Sequence, residues 1–105
     1  MGATQFETVG VGTSVRSAFH AAADQARYDH GHAGYTGTIA EKHDIVVIPM
    51  PSPDATDEQV VKYAQQLLVA CDPRVNDKWG PAGALRLADV SDGRQRWLFF
   101  GKASS

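Results

Sequence analysis

Apolar and polar residues follow two different periods along this chain, and the switches between them mark its elements. Residues 4–11 carry Phe6, Val9 and Val11 in an otherwise polar run. This is a strand pattern whose parity slips between Phe6 and Val9, so it predicts a bulge or a local twist. Gly10 and Gly12 then let the chain turn, and Thr13 or Ser14 caps a first helix. The apolar positions of that helix, Val15, Ala18, Phe19, Ala22 and Ala26, form one stripe at helical spacing. Arg16, His20, Asp24 and Arg27 lie opposite, and Gly31 after His30 is the stop signal.

Residues 35–41, rich in Thr, Ile and Tyr, read as a second strand, and Lys42, His43 and Asp44 as a turn. Residues 45–48 form a short, wholly apolar third strand ended by Pro49. The proline-rich stretch 49–53 runs extended. Thr56 and Gln59 make the capping box of a second helix, with Asp57 and Glu58 in the first turn where the helix dipole favours negative charge. Val60, Val61, Ala64, Leu67, Leu68 and Cys71 line its apolar face, and Asp72 and Pro73 end it. A loop over 74–83 leads to an alternating fourth strand at 84–90, with Leu85 and Leu87 on one face. Asp92 and Gly93 mark a hairpin. The fifth strand, 97–100, has aromatic residues pointing both ways; either both its faces are covered or one is a contact surface.

The predicted order is β-α-β-β-α-β-β. Two helices over a small sheet give a two-layer α/β sandwich, ferredoxin-like β-α-β-β-α-β with an added C-terminal strand, as a single α+β domain over residues 1–105. In that arrangement both helices cover one face and the other is left for a partner or a second copy.

Composition narrows the classes. The chain has 105 residues, a net charge of −2, 43% apolar and 21% charged residues, which suits one folded domain and not a disordered chain. No apolar run is long enough to span a membrane. Met1 to Phe6 lacks the pattern of a secretory signal, and a single cysteine cannot form an internal disulfide; a cytoplasmic setting is expected. Near-neutral charge argues against nonspecific coating of nucleic acid.

The most unusual stretch is 28–42, which sets two histidines, two tyrosines, two threonines and three glycines between a helix and a strand. One reading is a ligand-binding loop for a nucleotide or another phosphorylated compound. In it Tyr35 stacks on the ligand, and His30, His32, Thr36, Thr38 and Lys42 contact its polar groups. The other reading is a structural turn whose glycines serve backbone geometry. The order helix-glycines-strand is the reverse of a dinucleotide fingerprint. At residues 9–14 the strand-glycine-helix order is right for an anion, but the third glycine is replaced by Val15. His30, His32 and His43, with Asp29 or Asp44, lack a compact four-ligand metal spacing, and no motif demands a cofactor. Cys71 continues the apolar stripe and reads as core, and no Ser-centred elbow or carboxylate pair suggests catalysis.

The C-terminal part is slightly basic, with Arg74, Lys78, Arg86, Arg94, Arg96 and Lys102 near Trp79 and Trp97. Trp79, Arg86, Arg96, Trp97, Phe99 and Phe100 suit a protein interface, where Trp, Phe and Arg are enriched. Arginine beside aromatic residues also suits RNA or ribosome binding.

The run GHAGYTGTIAEK at 31–42, together with KWGPAG at 78–83 and FFG at 99–101, resembles a group of small proteins of tailed bacteriophages and some bacteria. The resemblance spans most of the chain. It carries over no catalytic or binding residue, and implies a setting in which such proteins bind a host or defence component. The leading expectation is a non-enzymatic interaction protein that binds such a partner, or itself, through the helix-free sheet face and the Trp- and Arg-rich C-terminal half. A small-molecule binding protein or small enzyme using the Gly/His segment from His30 to Lys42 comes next, and RNA or ribosome binding third.

Overall fold

The computed structural model describes residues 2–30 and 36–105, with His30 described by its backbone alone. Its elements are β1 (Ala3–Gly12), α1 (Val15–His30), a 3-10 turn (Ile39–Glu41), β2 (Ile45–Val47), α2 (Asp57–Val69), β3 (Ala82–Arg86) and β4 (Gln95–Ser104). The chain is α+β, with one four-stranded mixed sheet in the order β1-β4-β3-β2. β4 pairs antiparallel with both β1 and β3, and β2 pairs parallel with β3.

The helix signals are realised as side-chain bonds. Ser14 Oγ accepts from Ser17 N at 3.1 Å at the start of α1. Thr56 Oγ1 accepts from Gln59 N while Gln59 Oε1 accepts from Thr56 N, so the capping box at α2 is complete. The hairpin between β3 and β4 closes at Gly93, whose φ of +87° suits glycine.

Four expectations are corrected. Residues 36–41 form no strand: Thr38 caps the 3-10 turn by accepting from Ala40 N, and Tyr35 lies outside the described residues. β1 carries no bulge, because its register runs unbroken from Ala3↔Ser104 to Gly12↔Gln95. Phe6 therefore faces one side, and Val9 and Val11 share the other with Leu98 and Arg96. Cys71 is exposed rather than core. It sits one residue past the Ala70 cap with φ +54°, and Cys71 N and Asp72 N donate back to Leu68 O and Leu67 O. The ending is thus a Schellman motif with cysteine in the left-handed position.

The fourth correction concerns the layers. With a strand fewer than predicted, the strand order departs from the ferredoxin-like one, and the helices lie on opposite faces of the sheet. Phe6, Ala18, Phe19, Ala22, Ala26, Ala84, Trp97 and Phe99 form the core beneath α1. Val60, Ala64, Leu67, Leu68, Leu85, Leu87, Leu98 and Phe100 form a second core beneath α2. Connectivity explains this. The step from β1 to β2 crosses the whole sheet in one direction, and the step from β2 to β3 comes back. Right-handed crossovers taken in opposite directions put their helices on opposite faces.

Candidate functional site

Of the residues expected around the Gly/His segment, those described are committed to the fold. Thr36 donates from its backbone N and its Oγ1 to Glu41 Oε2, at 3.1 and 2.8 Å, and shares a 2.7 Å hydrogen bond with Thr38. The three side chains close the turn on itself. Lys42 is only 1% exposed. Its Nζ donates to the carbonyl oxygens of Asp77, Lys78 and Gly80 at 3.1, 3.3 and 2.9 Å. Burial holds the ammonium pKa below its ordinary value, and the nearby Asp77 carboxylate opposes that shift. An ammonium has three donors and here meets three carbonyls, so Lys42 clamps the 77–80 turn instead of reaching for a ligand. His32, Tyr35 and the His30 side chain lie outside the described residues. Among the described residues no group of three or more His, Cys, Asp and Glu could hold a metal ion.

The expected interface residues divide. Trp97, Phe99 and Phe100 are buried: Phe99 meets Phe19 edge-on beneath α1, and Phe100 belongs to the other core. Arg86 stacks over the Trp97 ring at 5.5 Å and bonds Asp89 at 2.7 Å. Arg96 bonds Asp57 at 2.8 Å, and Asp57 also accepts from Ala88 N. Arg74 and Arg94 pair with Asp72 and Asp92. Most of the basic character of this region is thus neutralised in place. Trp79 is 62% exposed on the turn that Lys42 clamps, with Lys78 Nζ 5.4 Å from its ring. The helix-free face is absent as a whole, since α2 covers its β3 and β4 part.

What stays open is β1. Gly2 and Ser105 exchange both backbone bonds, at 3.3 and 3.2 Å. Bonded and non-bonded pairs alternate in an antiparallel ladder, and the register here is continuous. The even residues of β1 therefore point their N–H and C=O groups at β4. The odd residues Ala3, Gln5, Glu7, Val9 and Val11 point theirs away from the sheet. Among the described residues no protein group bonds this outer row. The same odd residues turn their side chains to the face that α2 does not reach at this edge. Gln5 and Glu7 are exposed there, and Val9 is 47% exposed.

Beside this edge lies a groove of about 420 Å³ between β1 and α1. Phe6, Ala22 and Ala26 are its apolar lining, Gln5, Glu7, Thr8 and Val9 its strand wall, Gln25 and Asp29 its helix wall, and Gly37 and Thr38 line it as well. The small alanines of α1 leave the room. The alanine stripe is legible as an amphipathic face in the sequence, but its value as a groove depends on β1 being an edge strand, and strand order is a long-range property. The opposite sheet edge differs: β2 has three residues and is followed by Pro49, the short and proline-guarded form that blunts an edge.

No match to this chain is found among protein-family models, curated proteins or solved structures.

Proposed function

We propose that this chain is a non-enzymatic interaction module that takes an extended stretch of a partner polypeptide as an additional strand on the outer edge of β1. One observation carries the reading: among the described residues nothing bonds the outward backbone groups of five successive odd residues of a ten-residue strand that lies beside a groove. An open edge of this length is a ready template for strand pairing, and a helix flanking such an edge gives the added strand a second wall. No described helix is long and apolar enough to cross a membrane. In the cytoplasmic, phage-related setting that the sequence resemblance implies, the partner is a host or defence protein.

Amide hydrogen exchange tests this. The outward amides of Gln5, Glu7, Val9 and Val11 exchange fast in the free protein and become protected when an extended peptide binds, while the even amides of β1 change little. Uniform protection of β1, or protection confined to the 77–80 turn, would refute strand addition.

A further inference from the structure

We infer that the segment received at the β1 edge is cationic, with basic side chains alternating with small apolar ones, and that it belongs to a different protein and not to a second copy of this chain. The inference rests on the strand-addition reading above. Its ground is the charge along the open edge. Glu7 stands in the middle of the open edge with its side chain on the face away from α1, Asp29 stands on the α1 wall, and among the described residues no Lys or Arg lines the groove. Of the neighbouring cations, Arg27 is paired, and Lys102 keeps its charge but turns toward the end of α2. Arg27 bonds Asp24 at 2.9 Å, and Lys102, which faces Gln5 across the ladder, reaches Cys71 Sγ at 3.9 Å. Glu7 has no ion-pair partner among the described residues. Asp29, on the other face of β1, receives among the described residues one bond, 3.0 Å from Gln25 Nε2.

Self-pairing meets the same charge with the opposite sign. The antiparallel register that uses the whole outward run, from Ala3 to Val11, is centred on Glu7. It sets that carboxylate opposite its own copy, and like charges directly opposite across strands are destabilising. A charge on an open edge is also a common guard against edge-to-edge association. A strand bearing Lys or Arg turns this guard into an attraction. Its other side chains, directed at Phe6, Ala22 and Ala26, meet an apolar floor with space for small groups.

The test uses the full chain and labelled ten-residue peptides that alternate Val with Lys, Gln or Glu. A further Lys peptide is N-methylated on every second backbone nitrogen, in either phase. The Lys peptide is expected to bind about threefold tighter than the Gln peptide at low salt, as one modest ion pair with Glu7 allows. The Glu peptide binds weakest, and the advantage fades as salt rises. The variant Glu7→Lys inverts the order. Val9→Pro removes one outward N–H without touching the ladder to β4, and weakens all three peptides. N-methylation weakens the Lys peptide with the protein itself unaltered. Equal affinity for Lys and Gln peptides, with both lost on Val9→Pro, overturns the inference and leaves strand addition standing. A charge order that survives N-methylation and Val9→Pro overturns strand addition and the inference with it, as does binding of no peptide. A dimer in sedimentation that Val9→Pro dissolves makes the occupant a second copy and also overturns the inference.

Discussion

Lys42 Nζ lies 2.9 Å from the carbonyl oxygen of Gly80, a residue distant in sequence, and the same ammonium holds Asp77 O and Lys78 O. Replacing it with methionine keeps the stem and leaves three carbonyls without their donor. Lys42→Met is expected to destabilise the fold by about 3 kcal/mol, the scale of losing charged hydrogen bonds at a buried site. It should also loosen the turn bearing Trp79. Urea unfolding measures the first effect. Trp79 emission in a Trp97→Phe background reports the second, and unchanged emission would show that the turn holds its shape without the clamp.

Asp57 ties the first turn of α2 to the β3–β4 hairpin. The Ala88 N–H, and after it the Arg96 guanidinium, hold its carboxyl below the ordinary value. A carboxylate depressed in the native state contributes stability that is complete above its unfolded value and is lost as pH falls through its folded value. The stability difference between wild type and Asp57→Asn is therefore expected to be largest near neutral pH. It should shrink as pH drops below about 4 and disappear in stronger acid. Urea melts at a series of pH values check this, and a gap independent of pH would locate the role of Asp57 in its shape and not its charge.

Gly10 is required by packing. A Cβ there would stand 2.3 Å from the Ala18 carbonyl oxygen and 2.9 Å from the Phe99 ring. Gly10→Ala must push α1 off the sheet, at about 2–3 kcal/mol. Gly93 makes the contrast: a Cβ meets nothing within 4 Å, but φ is +87°. Gly93→Ala is expected to cost about 1 kcal/mol through the backbone alone. Chemical shifts across α1 separate the two, moving for the first variant and not the second.

Cys71 occupies the left-handed position of a helix ending where glycine is usual. Cys71→Gly relieves the steric cost of a side chain at positive φ and is expected to stabilise the protein by about 1 kcal/mol. In the wild type the exposed thiol should react with a thiol reagent under native conditions, without waiting for unfolding. Protection of the thiol would return it to the core.

Local chemistry is the part of this structure that can be read from the chain. The Thr56/Gln59 box, the alanine stripe under Phe19 and the Asp92–Gly93 turn each depend on residues within a few positions of one another, and each is realised. The misread segment, 36–41, has strand-forming composition, yet Thr36, Thr38 and Glu41 bond one another and close a turn first; such side-chain bonds compete with sheet ladders. Removing that strand changes the topology, and with it the side of the sheet that α2 covers. Lys42 was legible as polar but not as buried, because its three acceptors come from a distant turn. Trp97, Phe99 and Phe100 carry interface composition and are nevertheless core, since two helices on opposite faces give both sides of β4 something to pack against. The open β1 edge was hidden for the same reason: only the assembled strand order shows that β1 has one neighbour.

The β1–β4 ladder joins Ala3 to Ser104 and Gly12 to Gln95, so nearly all the intervening polypeptide must be synthesised before the first strand meets its mate. Contacts this distant along the chain slow folding, and the wall shared by both cores arrives last. On the ribosome, β1 is a solitary strand until β4 has been made. Until then β1 has two bare margins instead of one.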